Sequence, residues 1–250
     1  MYVNPRESTP WLEQLPSASN NGGSSGECPW LGRYLAEAGW KRLNFRRVVA
    51  RLQQLGLSGV HGTPKVLDFG CSIGLFLQVA AEAGWDAYGV ETDTAVASYG
   101  KDVLGLRIFN GLLADAEFPV DCFDAVVSFQ VFEHLPDPGD ELRQIWRVLR
   151  RGGWLAVDVP SIDTMWYWLL RGRHRHFATP QHIYFYTPAT MSKLLRKTGF
   201  EVQAVDFPSR SLSLEHVCRH HVALYSQKLS DYLAACRREK TSPQARSMID

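Results

Sequence analysis

Between Lys65 and Gly74 the chain reads Lys65-Val66-Leu67-Asp68-Phe69-Gly70-Cys71-Ser72-Ile73-Gly74, a buried-strand pattern that runs into a glycine-bearing turn and then a helix. Gly70 and Gly74 lack a Cβ, so the backbone there can take up positive φ and a ligand can come within contact of it. The helix that follows places Leu75, Phe76, Val79, Ala80 and Ala83 on one face, and Gly84 supplies its stop. The next apolar run, Ala87-Tyr88-Gly89-Val90, ends in Glu91. A carboxylate at the end of a second strand, about 20 residues past such a loop, is placed to accept two hydrogen bonds from a ribose diol. This segment alone predicts a nucleoside-binding α/β fold.

Strand and helix patterns then alternate through residues 65–69, 75–83, 87–91, 93–100, 106–109, 123–129, 139–150, 154–159, 188–198 and 200–206. That rhythm predicts a doubly wound, mostly parallel sheet with helices on both faces and ligands at the carboxyl ends of its strands. Two cofactor classes compete for the loop. A dinucleotide fingerprint needs G-x-G-x-x-G, whereas Ser72 replaces the middle glycine and Leu75 follows Gly74, so a pyrophosphate would lose its closest backbone approach.

The pattern Asp68-x-Gly70-x-Ser72-x-Gly74 instead resembles the acidic-x-Gly-x-Gly-x-Gly loop of class I S-adenosylmethionine (SAM) methyltransferases, with Ser for one Gly. The run from Phe123 to Pro138, which contains Phe132-Glu133-His134-Leu135-Pro136-Asp137-Pro138, is similar to that family's fourth strand and its continuation, and Arg147-Val148-Leu149-Arg150-Arg151-Gly152-Gly153 to its next helix end. His182-Ile183-Tyr184-Phe185-Tyr186-Thr187-Pro188, with Leu194-Leu195 and Gly199-Phe200-Glu201-Val202, resembles the branch holding ubiquinone-type O-methyltransferases and enzymes of glycan and natural-product clusters.

The resemblance implies a Rossmann-like sheet and a SAM site. Asp68, Gly70, Cys71, Ser72 and Gly74 would hold the methionine end, Glu91 and Thr92 the ribose, and Leu112 or Leu113 the adenine, whose amine main-chain groups or Asp115 would read. Phe129 and Gln130 would border the sulfonium, which weak dipoles and aromatic faces suit better than a tight ion pair. It also implies methyl transfer to an oxygen, or a nitrogen, of a small molecule such as a sugar or aromatic hydroxyl. His134 and His182 are the candidate catalytic bases, because an imidazole titrates near neutrality, and each has a structural reading as a tie for backbone carbonyls. Glu133 reads as a structural partner of that loop. Trp166, His176, Tyr184 and Tyr186 are expected to bind substrate, the two tyrosines pointing at the pocket with Phe185 packed behind them. His174, His176 and His182 lack a nearby acidic run, so no metal is expected.

A chain of 250 residues that is 45% apolar can bury one substantial core. We read residues 1–27 as a flexible Ser/Asn/Gly-rich tail, 28–58 as a helical cap, 59–210 as the SAM-binding domain with a lid or substrate insertion at 161–187, and 211–250 as a helical extension and tail. From Val222 onward Leu224, Leu229, Tyr232 and Leu233 suggest a polar helix, leaving the family's seventh strand in doubt. Either residues 212–217 substitute for it, or the sheet ends early and another chain covers the edge, a homodimer among the options. Basic residues number 27 against 26 acidic ones, so no nucleic-acid partner is expected; no run is long enough to span a bilayer, and five scattered cysteines without a C-x-x-C pair fit a cytoplasmic protein. Two other readings remain. One is a silent, partner-binding member of the fold, and the other an NAD-dependent oxidoreductase.

Overall fold

The computed structural model describes residues 29–57, 62–163, 181–206 and 231–238. The expected tail, Trp166, His174, His176, most of the 161–187 insertion and the 212–217 segment lie outside the described residues. Two helices, α1 (Pro29–Ala36) and α2 (Ala38–Gln54), precede β1 (Lys65–Phe69) and α3 (Leu75–Glu82). Then come β2 (Asp86–Glu91), α4 (Thr94–Ser98) running into a π-helical turn (Tyr99–Val103), β3 (Ile108–Asn110) and a 3-10 turn (Leu113–Ala116). The order continues with β4 (Phe123–Phe129), α5 (Pro138–Val148), β5 (Leu149–Pro160), α6 (Pro188–Lys197), β6 (Phe200–Asp206) and β7 (Asp231–Arg238).

Local chemistry sets the helix ends. Gly74, at φ 85°, turns the chain into α3, and Gly84, at φ 80°, lets it leave, as expected of a glycine past a helix end. The Asp93 carboxylate accepts from the amides of Ala95 and Val96 to start α4, Asp137 accepts from Gly139 and Asp140 to start α5, and Thr187 and Thr190 form a reciprocal capping box at α6.

The seven strands lie in the order β3-β2-β1-β4-β5-β7-β6, with β7 alone antiparallel to its neighbours. Near-continuous apolar strands are what a sheet covered on both faces requires. Because successive side chains alternate, Leu67, Val126, Leu155 and Val157 join Leu142 and Ile145 of α5 and Leu195 of α6 in one core. Val66, Ala125, Val127 and Ala156 join Phe76 and Val79 of α3 and Leu52 of α2 in the other. In this part of the chain α1 and α2 follow one another, and α2 packs on α3. Among the described residues no helix is long and apolar enough to cross a membrane.

The C-terminal expectation is corrected. The seventh strand exists, and it is residues 231–238, read from sequence as part of a helix, that form it. Local composition lost to hydrogen bonding. The facing edges of β5 and β6 present unpaired amides and carbonyls, and β7 enters between them, from Trp154↔Arg237 to Pro160↔Asp231 on one side and from Phe200↔Arg238 to Asp206↔Leu233 on the other. A smaller correction concerns α5, expected to run to residue 150. It ends at Val148, and β5 begins at once, with Arg150 bonded to Asp124 at 2.7 Å and a register shift between Phe123 and Ala125.

Ala235 pairs with Ala156 on one side and Ala204 on the other, so Ala235→Pro removes an interior ladder donor. Urea unfolding of that variant is expected to show a loss of about 2 kcal/mol or more; unchanged stability would contradict the placement of β7.

Candidate functional site

The strand order reverses between β1 and β4, and above that point lies a cavity of about 1120 Å³ lined from the carboxyl ends of β1, β2, β4, β5 and β6. Ligand sites commonly measure about 300–1,000 Å³, so this one has room for a nucleoside and a second molecule. Its roof is the cap: Tyr34 from α1 and Lys41, Asn44 and Arg51 from α2.

The glycine loop is built from inside. Gly70 has φ 78°, and a Cβ added there would meet Cγ2 of Val131 at 2.4 Å, a β-branched side chain with little freedom to move. Gly74 plays the same part against Leu106 and does not line the cavity, so what its missing Cβ admits is protein rather than ligand. The loop amides are already used: Gly70 and Cys71 donate to the Val90 carbonyl at 2.9 and 3.0 Å, Gly74 donates to Cys71, and Ser72 donates to Oε2 of Glu91 at 2.9 Å. A phosphate cradle needs those N–H groups aimed outward. The loop therefore does not fit a dinucleotide pyrophosphate.

It does fit a cationic nucleoside. Asp68 is buried at the end of β1, lines the cavity, and its Oδ1 has no hydrogen-bond partner among the described residues. Burial, and then the charge of Glu91, push its carboxyl well above the usual range, so a cation beside it would be strongly favoured. Glu91 accepts from Ser72 through one oxygen and from the Asp93 amide, also at 2.9 Å, through the other. A carboxylate offers about four acceptor positions, so about two remain for a diol. Ser72 holds φ 52° with the Glu91 bond in place, and the Tyr34 hydroxyl bonds to the Ser72 side chain; burial first, then nearby carboxylates, raise that phenol's pKa and keep its proton on. Cys71 is a buried free thiol, held protonated mainly by burial.

Thr92 borders the cavity beside Glu91, Leu112 reaches it from the surface, and Leu113, fully buried, closes its floor. Asp115 is exposed and does not line it. Phe129 and Gln130 border it at the end of β4, Phe129 packing on Phe45 of the cap with ring centroids 4.9 Å apart.

The histidines separate. His134 lines the cavity, its Nδ1 3.0 Å from the Gln181 carbonyl, an arrangement that puts the proton on Nδ1 and the basic lone pair on Nε2. Burial lowers its pKa, partly offset by that carbonyl. His182 does not line the cavity; its ring meets that of His134 edge-on at 4.8 Å. The Glu133 backbone carbonyl accepts from the amides of Ile183 and Tyr184. Tyr184 and Tyr186 depart from expectation, because their hydroxyls donate to the carbonyls of Pro136 and Phe132 at 3.1 and 3.3 Å and neither lines the cavity. They tie the 182–187 strap to the loop after β4. Glu133, His134 and His182 offer ligand atoms that all lie within 4.8 Å of one another, a group that could hold a metal ion, its acid coming from the loop after β4 rather than from a run near His182.

Sequence reasoning missed Tyr34, Lys41, Arg51, Asp158 and Asp206, all of which line the cavity. The two aspartates carried the same signal as Glu91, an acid interrupting or ending an apolar strand run. The cap residues gave none, since a polar helix face reads as a solvated one.

Residues 37–205 match the family described as "Methyltransferase domain". The chain is 33% identical over 139 residues to a Mycolicibacterium smegmatis protein named a probable S-adenosylmethionine-dependent methyltransferase, covering 55% of this chain and 52% of that one. It is 32% identical over 108 residues to the Pseudomonas fluorescens ubiquinone biosynthesis O-methyltransferase, covering 40% and 44%. The chain thus spans about half the length of these relatives. Among solved structures, Haemonchus contortus phosphoethanolamine N-methyltransferase 2 in complex with S-adenosyl-L-methionine superposes with TM-score 0.62 at 17% identity, covering 77% of this chain and 52% of that one, a likeness of fold.

Asp68→Asn tests the buried carboxylate. The folded protein holds the Asp68 proton more tightly than the unfolded chain, whose pKa is about 3.9, so the stability it contributes at low pH is lost as pH rises from that value through the raised folded one. The ligand-free variant is expected to be more stable than wild type at neutral pH by about 1–3 kcal/mol and to lack that decline, measured by denaturation across pH. Equal stability across the range would contradict a strained Asp68.

Proposed function

The chain belongs to the methyltransferase-domain family, and from that premise we propose that it transfers the methyl group of SAM to an oxygen, or a nitrogen, of a small-molecule acceptor. The observation that carries this reading is the pair of strand-end carboxylates, Asp68 and Glu91, flanking a loop whose amides are already used. One would take the ammonium of the methionine end and the other the ribose diol, with Gly70, Cys71 and Ser72 between them, Thr92 beside the sugar, and Leu112 and Leu113 against the adenine. When bound, SAM supplies a methyl group already carried on a good leaving group.

What remains for the protein is placement and dryness. Phe129 and Gln130 at the end of β4 border the reacting region with an aromatic face and an amide, neither of which forms a tight ion pair with a sulfonium. The cap excludes water through Phe45, which packs on both Phe76 and Phe129. Orienting two reactants in such a site can account for about 7 kcal/mol or more of the barrier. The open cavity and the complete sheet favour an enzyme over a silent, partner-binding member, and the loop amides already in use favour SAM over NAD. A sugar or aromatic hydroxyl is the favoured acceptor, in line with the named activity of the Pseudomonas relative.

His134 is the candidate base, because it lines the cavity with Nε2 as its basic nitrogen, whereas His182 supports it from behind. Since burial lowers its pKa, the neutral form is present at pH 7, so activity should rise with pH through a value below about 6.5 and stay level above it. Incubation with SAM and a panel of sugar and aromatic hydroxyls, read by mass spectrometry, is expected to give products heavier by one CH₂ unit. His134→Ala should lower kcat by about 100-fold or more with SAM affinity intact. Full turnover with an unchanged pH profile would remove His134 from the mechanism, and failure to bind SAM would remove the proposal.

A further inference from the structure

Asp158 sits where the pattern of β5 calls for an apolar residue. Trp154 and Ala156 belong to the core under α2 and α3, and Leu155, Val157 and Val159 to the opposite one, so by the period of a strand residue 158 falls on the side of Trp154 and Ala156. Instead of extending that core, this position carries a carboxylate that is 9% exposed and lines the cavity.

Its neighbour on β4 fixes it. Phe129 and Asp158 are register partners, and the next residue, Gln130, takes φ 58°, a conformation L side chains rarely adopt. That turn lets Gln130 grip Asp158 twice, its amide donating to the Asp158 carbonyl at 2.7 Å and its side-chain Nε2 to Oδ1 at 3.3 Å. Held strain of this sort concentrates where a group must be kept in one place.

Position then suggests the task. The acids assigned above to the nucleoside stand on β1 and β2, and Asp158 stands beyond β4 on the other side of the order switch, with neighbouring strands about 4.8 Å apart. Resting on the SAM reading above, we infer that Asp158 is the acceptor-positioning carboxylate, receiving a hydrogen bond from a hydroxyl or amine at or beside the atom to be methylated. The acceptor class is thereby narrowed to molecules that carry a donor there, such as a vicinal diol or an amino alcohol, and a lone ether or an unsubstituted ring is excluded.

The inference can be tested without knowing the acceptor. Sinefungin carries a primary amine where SAM carries its transferable methyl group, and S-adenosylhomocysteine carries nothing there. Calorimetric titration of wild type and Asp158→Asn with both ligands is expected to show sinefungin affinity falling roughly tenfold or more in the variant, with S-adenosylhomocysteine affinity kept within about twofold. Parallel changes for the two ligands, or no change for either, would overturn the role of Asp158 while leaving the SAM reading intact. Binding of neither ligand by wild type would overturn the SAM reading and this inference with it. Should the variant not fold, a crystal structure of wild type with sinefungin decides: the amine within hydrogen-bond distance of the Asp158 carboxylate supports the inference, and an amine directed elsewhere overturns it.

Discussion

The Glu91 carboxylate holds the site together. It ends β2, and through its two oxygens it fastens the amide of Ser72 in the loop after β1 and the amide of Asp93 at the start of α4. The Gly70 and Cys71 amides already tie the first loop to the Val90 carbonyl of β2, and Glu91 extends that tie to Ser72 and onward to the start of α4. Charge-assisted hydrogen bonds to backbone amides are stronger than neutral ones, and here they also keep Ser72 in a left-handed conformation that would otherwise relax. A nucleoside that engages the remaining lone pairs would thus meet a carboxylate already oriented, and the ordering cost of binding falls accordingly.

The cap depends on the same loop. Tyr34 reaches from α1 to Ser72, while Phe45 of α2 packs on Phe76 of α3 and Phe129 of β4 with centroids 5.7 and 4.9 Å apart. At the far end, Arg51 of α2 pairs with Asp206 at the end of β6 across 3.2 Å. That last pair is about 40% exposed on both sides and contributes little, whereas the aromatic cluster is the firm contact. The cap is therefore held firmly at the loop after β1 and the end of β4 and more weakly at the end of β6.

Much of this was legible in the chain. The strand-loop-helix at 65–83 and the carboxylate at Glu91 follow from backbone sterics and spacing, which are local, and the structure keeps them. The seventh strand was not, because Asp231-Tyr232-Leu233-Ala234-Ala235-Cys236-Arg237-Arg238 has no strand period, and what fixes it as a strand is the pair of open edges on β5 and β6. Tyr184 and Tyr186 were read as pocket residues since alternation says which side chains share a face but not which face looks at the cavity. Asp158 carried the same acid-in-an-apolar-strand signal as Glu91, but what holds it, Gln130 in the turn after β4, shows only once the strands are paired.

The most direct test of the central claim compares two ligands that differ only at the sugar. Titration of wild-type protein with S-adenosylhomocysteine and with its 2′,3′-dideoxy analogue isolates what Glu91 does for the diol. The account predicts that the dideoxy compound binds more weakly by about 2–3 kcal/mol, the worth of hydrogen bonds to a charged acceptor. Equal affinity for the two would mean that Glu91 serves only its own loops, and that the nucleoside, if bound at all, is gripped elsewhere.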